Sequence, residues 1–549
     1  MIGIISFVGF TLLVAVISYF ATRSTDESSS DGYFLGGRSL TAGVIAGSLL
    51  LTNLSTEQIV GLNGSAYRDG LSVMAWETLA AIAMVVTAIY LLPRYLKGGL
   101  TTVPQFLSKR FDVTTKTITS GLFLTGYVVV LLPVILYSGS VAISGMFNVP
   151  ELLNVSDTKA LWICIWGIGI IGSIYAVFGG LKAVAVSDSI NAIGLIVGGL
   201  LIPIFGLMAI GDGSMSSGID ILMNANPEKF KSMGEKGQEV PFSTIFTGMM
   251  LVQLFYWGTN QQIIQRALGA KNLAEGQKGL LLASFLKILG PLILVLPGII
   301  AYHYFNGGLA SSDLAYPELV RAVLPKYLVG FFAAVLFGAI LSSFNSVLNS
   351  SVTLFGLDIY KQHVNKDADE KTVVRYGKIF GIVLAISSMF IAPLIANAGS
   401  LFNYLQEVNG IYSIPIFTII VVGYTTKRVP AIAAKIGVIA GSVMYIISQF
   451  FLQPYFINRA LESAKNAGIS DEAELLLVKA EAYPHFLHVM AILFVLNILI
   501  MLAIGYFKPR KEPYVIKYTN QVDITPWKHT KTVGLIICII VIGIYIYFS

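Results

Sequence analysis

The chain has 549 residues, of which 55% are apolar or aromatic and only 12% charged, with a mean hydropathy of +0.76 and a formal charge of +6. Soluble domains carry about 25% charged residues, so half the usual charge is absent, and the deficit extends from Met1 to Ser549 in recurring apolar runs. A soluble enzyme, a nucleic-acid binder and a disordered scaffold are excluded, and an all-α polytopic membrane protein is expected.

Apolar spans fall at 2–22, 40–66, 70–93, 117–147, 159–178, 184–211, 243–265, 279–305, 329–360, 374–396, 400–424, 431–452, 485–507 and 532–548. They are expected to be fourteen transmembrane helices, since lipid admits only helices and closed barrels. A barrel is excluded because the runs are continuously apolar instead of alternating. The first span has no basic segment before it and no small-residue cleavage motif, so it reads as a retained helix.

Lys and Arg orient the spans. With residues at span edges counted in the loop they adjoin, 25 of the 36 lie in loops after odd-numbered spans and 10 in loops after even-numbered ones. Arg94, Lys97, Lys109, Arg110 and Lys116 form one such cluster, and Lys508, Arg510, Lys511, Lys517, Lys528 and Lys531 another. The odd loops therefore read as cytoplasmic, with both termini on the extracytoplasmic side of a plasma or inner membrane.

The second span carries Leu51-Thr52-Asn53-Leu54-Ser55-Thr56-Glu57-Gln58 at mid-depth. A broken helix explains this run, because unwound carbonyls need a cavity, a ligand or an ion. An intact helix packed by small residues is the alternative. Glu77, Asp188, Lys287 and Glu407 are charges inside or at the edge of spans, each needing a partner in space or water. They read either as structural ion pairs or as parts of a polar cavity.

The seventh span contains Gln253-Leu254-Phe255-Tyr256-Trp257-Gly258-Thr259-Asn260, which suits a cavity wall that stacks on a ring. In the ninth, Ala339, Ser342, Ser343 and Ser346 recur at i, i+3, i+4 and i+7 and share one helix face. Their hard oxygens suit an alkali cation, although serines in membrane helices also bond across interfaces. Cys164 and Cys538 read as small buried hydrophobes. Segment 453–484 reads as an amphipathic surface helix or a plain connector. No phosphate loop, haem ligand set or nucleophile–base pair is visible.

These residues resemble the sodium/solute symporter family, most closely its bacterial sodium/galactose branch. The resemblance rests on Tyr33-Phe34-Leu35-Gly36-Gly37-Arg38-Ser39-Leu40, Asn53-Leu54-Ser55-Thr56-Glu57-Gln58, and Gly179-Gly180-Leu181-Lys182-Ala183-Val184 with Asp188. Tyr256-Trp257-Gly258, Gln265-Arg266, Ser342-Ser343 and Asp358-Ile359-Tyr360-Lys361 complete it. The resemblance implies a leucine-transporter-type core of two inverted five-helix repeats at 40–211 and 243–424, with broken helices at mid-membrane. Residues 1–39 would form a leading helix and loop, and 425–549 three further helices.

By the same resemblance, Leu51, Leu54 and Ala339 would offer main-chain oxygens to sodium, and Ser342 and Ser343 their hydroxyls. Asp188 and Ser346 would serve coupling or a second ion. Solute would meet Asn53, Gln58, Glu77, Gln253, Lys287 and Gln406, with Tyr256 beside Trp257 as the inner aromatic gate and Phe402 as the outer one. Trp76, Ala80 and Leu62 depart from the branch's tyrosine, serine and methionine, which bears on the identity of the sugar. The expected function is sodium-coupled import of a neutral sugar of the galactose or glucose kind. Partners would be the sugar, Na+ and the lipid bilayer, with neither nucleic acid nor an obligate protein. The alternatives are another solute (a sialic acid, an amino acid or a carboxylate) or, from another class, a sugar-gated channel or sensor.

Overall fold

The structure, a computed structural model, describes residues 2–22, 29–397 and 401–549 and contains no strand among the described residues. The leading helix α1 (Ile2–Thr22) precedes a pair divided by a break, α2 (Ala42–Asn53) and α3 (Thr56–Asp69). Then come α4 (Ala75–Val86), which continues to Lys97 through a wide turn, α5 (Val113–Gly126), α6 (Leu132–Phe147) and the long α7 (Asp157–Ile210). The middle of the chain forms α8 (Met250–Thr259), α9 (Gln261–Leu268), α10 (Leu273–Ile288), α11 (Leu296–Tyr304), α12 (Lys326–Thr353) and α13 (Glu370–Ile391). The order ends with α14 (Leu401–Thr425), α15 (Ala431–Ile447), α16 (Phe486–Phe507) and α17 (Thr530–Tyr547).

Short acceptor side chains set where several of these helices start. Asp112 accepts the Thr115 N–H at 2.8 Å ahead of α5, Asn272 that of Glu275 at 2.9 Å ahead of α10, and Asp369 that of Thr372 at 3.0 Å ahead of α13. Each satisfies a donor that the first helical turn leaves free and contributes about 1 kcal/mol.

Three interruptions matter more than the starts. Between α2 and α3, Leu54 leaves the helix at φ −76°, ψ 61° and Ser55 is extended at φ −84°, ψ 172°. Between α8 and α9, Asn260 is extended at φ −69°, ψ 120° and its side chain caps α9 through Gln262. Inside α7, Gly180 turns the chain at φ 58°, ψ −171°, a conformation essentially confined to glycine.

Among the described residues, ten helices are long and apolar enough to cross a membrane, or eleven if Leu273–Ile288 and Gly290–Tyr304, bent by 47°, are one span. That is fewer than the fourteen expected, and the breaks are one physical reason. They leave α2 only 12 residues long and α8 only 10. Segment 453–484, expected as one surface helix or a connector, forms two helices, Gln453–Asn466 and Glu472–Ala482. Cys164 and Cys538 are free and half-buried rather than fully buried.

Packing brings the interrupted helices together. α2 lies against α7 and α10, α4 against α8 and α10, α3 against α11, and α7 against α12. A main-chain bridge, Leu40 N to Gly269 O and Lys271 N to Leu40 O (both 3.1 Å), ties the start of α2 to the turn after α9. At the same end, the connector between α16 and α17 crosses the bundle as a strap. Its main chain bonds Arg428, Lys427, Lys97 and Leu273 through Arg510, Tyr514, Thr519 and Asp523. Buried Arg110 closes the C-terminus of α14 by donating to the carbonyls of Gly423, Val429 and Thr426 at 2.9–3.0 Å, a favourable place for a cation.

Candidate functional site

The break after α2 frees carbonyls at mid-bundle, and α12 supplies partners for them. Ser343 Oγ donates to Thr52 O at 3.1 Å, and Thr52 Oγ1 lies 3.1 Å from Ser346 Oγ. Ser346 in turn donates to Ser342 O at 2.6 Å. Leu51, Leu54 and Ala339 are buried in one apolar cluster beside this seam. Ser342 Oγ is buried there facing the Asp188 carboxyl, without a well-formed hydrogen bond among the described residues. A buried hydroxyl without a well-formed bond is costly unless something else coordinates it.

Asp188, on α7 beyond the Gly180 turn, accepts from Ser48 Oγ at 2.6 Å. Arg266 donates to the same Ser48 at 3.1 Å and to Ser346 and the Gln262 carbonyl. Asp188 and Ser346 are thus joined through Ser48 and Arg266. By its apolar span the sequence leaves Arg266 one residue beyond the seventh helix. The structure buries it completely, because the α8–α9 break turns the following helix under α2 and α12.

Next to the seam, Glu77 of α4 and Lys287 of α10 form an ion pair with at most 1% of either side chain exposed. Lys287 also donates to Asn53 Oδ1, and Gln58 Nε2 donates to Glu77 Oε1 at 2.6 Å. Asn53 Nδ2 donates to the Tyr256 hydroxyl at 3.3 Å. Gln253 donates to Trp76 O at 2.8 Å and accepts the Trp257 indole N–H at 3.2 Å. The Lys287 ammonium stands 5.6 Å from the centre of the Trp257 ring, within cation–π range.

Several of these groups border a cavity of about 720 Å³, part of it open to solvent. Of the expected solute contacts, Asn53, Gln58, Gln253, Tyr256 and Gln406 line it, together with Ser343 of the expected sodium set. Glu77, Lys287 and Trp257 do not line it. They sit one hydrogen bond behind Gln58, Asn53 and Gln253. Phe402 is placed on α14, but its side chain lies outside the described residues.

Six polar lining residues, Thr52, Glu57, Asn260, Gln262, Asn409 and Tyr412, stand outside the contacts expected from the sequence, although the first three lie in the polar runs singled out there. Glu57 is the one charged residue among those described that line the cavity, and its Oε2 has no hydrogen-bond partner among the described residues. Asn260, Asn409 and Tyr412 complete the polar wall, with Tyr127 donating to Asn260 Oδ1 and Tyr412 to Asn409 Oδ1, both at 2.6 Å. Two signals were available. Glu57 sits inside the polar run of the second span, and Asn409 follows Gln406 by three residues, on the same helix face.

Residues 33–441 match the sodium:solute symporter family. The chain belongs to that family. The uncharacterized symporter YidK of Escherichia coli K12 is 47% identical over 543 residues, covering 99% of this chain and 90% of that one. The sodium/glucose cotransporter of Vibrio parahaemolyticus is 32% identical over 451 residues, covering 78% and 81% respectively. A Na+-coupled sialic acid symporter, solved substrate-bound and outward-open, superposes with a TM-score of 0.71 at 16% identity, covering 93% of this chain and 99% of that one. At that identity the likeness is one of fold. The chain is accordingly a multi-pass membrane transporter and not an enzyme.

Proposed function

We propose that this chain is a sodium-coupled symporter that imports a small neutral sugar of the galactose or glucose kind by alternating access. The observation that carries the reading is the meeting of two polar assemblies at the α2–α3 break. On one side are the hydroxyls of Ser342 and Ser343, and on the other the amides of Asn53, Gln58 and Gln253, stiffened by the Glu77–Lys287 pair. Amides donate and accept at once, which is what a ring of hydroxyls requires. The Vibrio relative's name points the same way.

Sodium is assigned to the main-chain oxygens of Leu51, Leu54 and Ala339 and the hydroxyls of Ser342 and Ser343. By tying α2 to α12 it would favour the outward-open state, since an ion shifts an equilibrium only by binding one state better. A membrane potential of roughly 100 mV supplies about 2.3 kcal/mol per charge moved, enough for roughly fifty-fold accumulation. Asp188 is assigned to coupling, acting with Ser346. Because Arg266 already lies in its network, one sodium per cycle is the stoichiometry we favour. Tyr256 would gate the inner side of the pocket and Phe402 the outer.

In this reading the fourteen spans comprise a leading helix (1–39), inverted repeats at 40–211 and 243–424, and three further helices (425–549). Breaks in the first helix of each repeat, at Ser55 and at Asn260, support it. The basic loops face the cytoplasm of a plasma or inner membrane, and both termini face out.

The structural neighbour raises an anionic solute as the second reading. Glu57 argues against it, because an anion would lie beside an unpaired acid in a site of low dielectric. Uptake of radiolabelled galactose, challenged with unlabelled glucose, sialic acid and amino acids, separates the two. Competition by glucose alone supports a sugar carrier, whereas competition by sialic acid supports the anionic reading.

A further inference from the structure

The strongest buried acid outside the solute and sodium assemblies is Glu239, in the loop ahead of α8, at the end of the bundle opposite the strap. Only 2% of its side chain is exposed. Ser65 Oγ and Arg68 Nη2, both on α3, donate to its Oε2, the latter at 3.1 Å. Its own N–H donates to Asp69 Oδ2 at 2.9 Å. The indole N–H of Trp76 faces the carboxyl and favours its charged form. Trp76 lines the solute cavity, and its carbonyl is the acceptor for Gln253.

One carboxylate therefore joins three parts of the transporter: the half of the broken helix beyond the break, the first turn of α4 and the loop leading into α8. The need for it follows from Trp76 itself. An indole N–H in a buried wall calls for a negative partner, and among the described residues the Glu239 carboxylate faces it from this loop.

We propose that Glu239 is a positioning residue for the outer half of the solute pocket: its carboxylate holds Trp76 and the end of α3 in the arrangement that binds solute, and its protonation from the outer side loosens both. Burial pushes this carboxyl up to about 7, with Asp69 adding to the rise while Ser65, Arg68 and Trp76 pull against it. The charged form accepts from Ser65 and Arg68 and attracts the Trp76 N–H facing it, whereas the neutral acid keeps no charge for Arg68 or for the indole. Solute affinity should therefore fall as external pH drops through about 7.

The other charged or titratable groups facing this cluster are Asp69, Lys229, Asp313, His485 and His488. Lys229 donates to the Tyr67 and Arg68 carbonyls, and Asp313 lies within reach of Arg68's field. His485 bonds the Glu239 main chain, and His488 faces Thr247 and Ser243. The experiment must separate Glu239 from these histidines.

Tryptophan emission of the purified full-length protein, titrated from pH 5 to 9 with the signal of Trp76→Phe subtracted, reads Trp76 directly and needs no solute. A midpoint near pH 7 that vanishes in Glu239→Gln and moves upward in Arg68→Gln is expected. A midpoint that survives Glu239→Gln belongs to the histidines and overturns the proposal, as does a flat Trp76 signal. The Arg68→Gln arm decides even where a Trp76 or Glu239 variant fails to fold, because it leaves both residues in place.

The second arm rests on the sugar reading above. KM for radiolabelled galactose should rise several-fold between external pH 8 and 6 in the unaltered protein. In Glu239→Gln it should be high and flat, with kcat within about twofold. A variant whose KM keeps the original pH dependence contradicts the proposal. Absence of galactose uptake in the unaltered protein refutes the sugar reading alone, and the fluorescence arm still decides the role of Glu239.

Discussion

The Ser343 hydroxyl of α12 donates to the main-chain carbonyl of Thr52 across 3.1 Å, at the turn where α2 breaks. The bond joins the two helices that the proposed sodium site needs to hold together. It also uses a carbonyl close to the helix end, one of the acceptors that a break leaves short of intrahelical partners.

Replacing Ser343 with Ala removes one hydroxyl ligand of the proposed ion. Bonds to charged groups are worth about 1.5–3 kcal/mol, so half-saturation by sodium should rise roughly 10- to 100-fold. Solute KM at saturating sodium should change far less. Initial uptake rates over a sodium series measure both, and an unchanged sodium response would show that the ion binds elsewhere.

Glu77 and Lys287 neutralise each other in a dry site. Removing one partner strands a buried charge, so Glu77→Gln or Lys287→Met should each cost about 3–5 kcal/mol of stability. The double replacement should recover most of that stability and still fail to transport, because Gln58 and Asn53 lose the groups that orient them. Thermal unfolding in detergent beside an uptake assay reads the two effects apart. A double variant that transports normally would reduce the pair to a structural role.

Glu57 is the acid that solute meets directly in this account. Glu57→Gln keeps the shape and removes the charge. Galacturonate, the anionic counterpart of galactose, should compete poorly with galactose uptake in the unaltered protein and at least several-fold better in this variant. Equal competition in both proteins would exclude Glu57 from charge selection.

Gly180 and Gly121 predict opposite outcomes for the same substitution. Gly180→Ala forces a side chain into φ 58°, ψ −171° with the Tyr33 carbonyl 3.1 Å from the new Cβ, at a cost of about 1–3 kcal/mol. Gly121 sits in helical backbone with open space around it, so Gly121→Ala should be neutral or stabilise by up to about 1 kcal/mol. Comparing the two unfolding temperatures checks the backbone argument.

The sequence showed those features whose physics is local. Apolar runs marked the helices, and the polar run Asn53–Gln58 marked the first break, because mid-membrane polarity has few explanations. The break at Asn260 was visible only as a polar, aromatic stretch, since one extended asparagine leaves no periodic signal. Gly180 stood in a glycine pair like many that sit harmlessly in helices. Arg266 was legible only as a motif residue just past the seventh apolar span, and only the tertiary turn of α9 shows it buried beside the Asp188 network. Glu239 was invisible for a different reason, because a loop acid becomes notable only when a distant tryptophan and serine close over it.

The central claim is sodium-driven solute accumulation, and it is tested most directly by radiolabelled galactose uptake into proteoliposomes under an inward sodium gradient, against an equal potassium gradient. The account predicts saturable accumulation above equilibrium with sodium and none with potassium. Equal uptake under both gradients, or flux that equilibrates without ever accumulating, would contradict it.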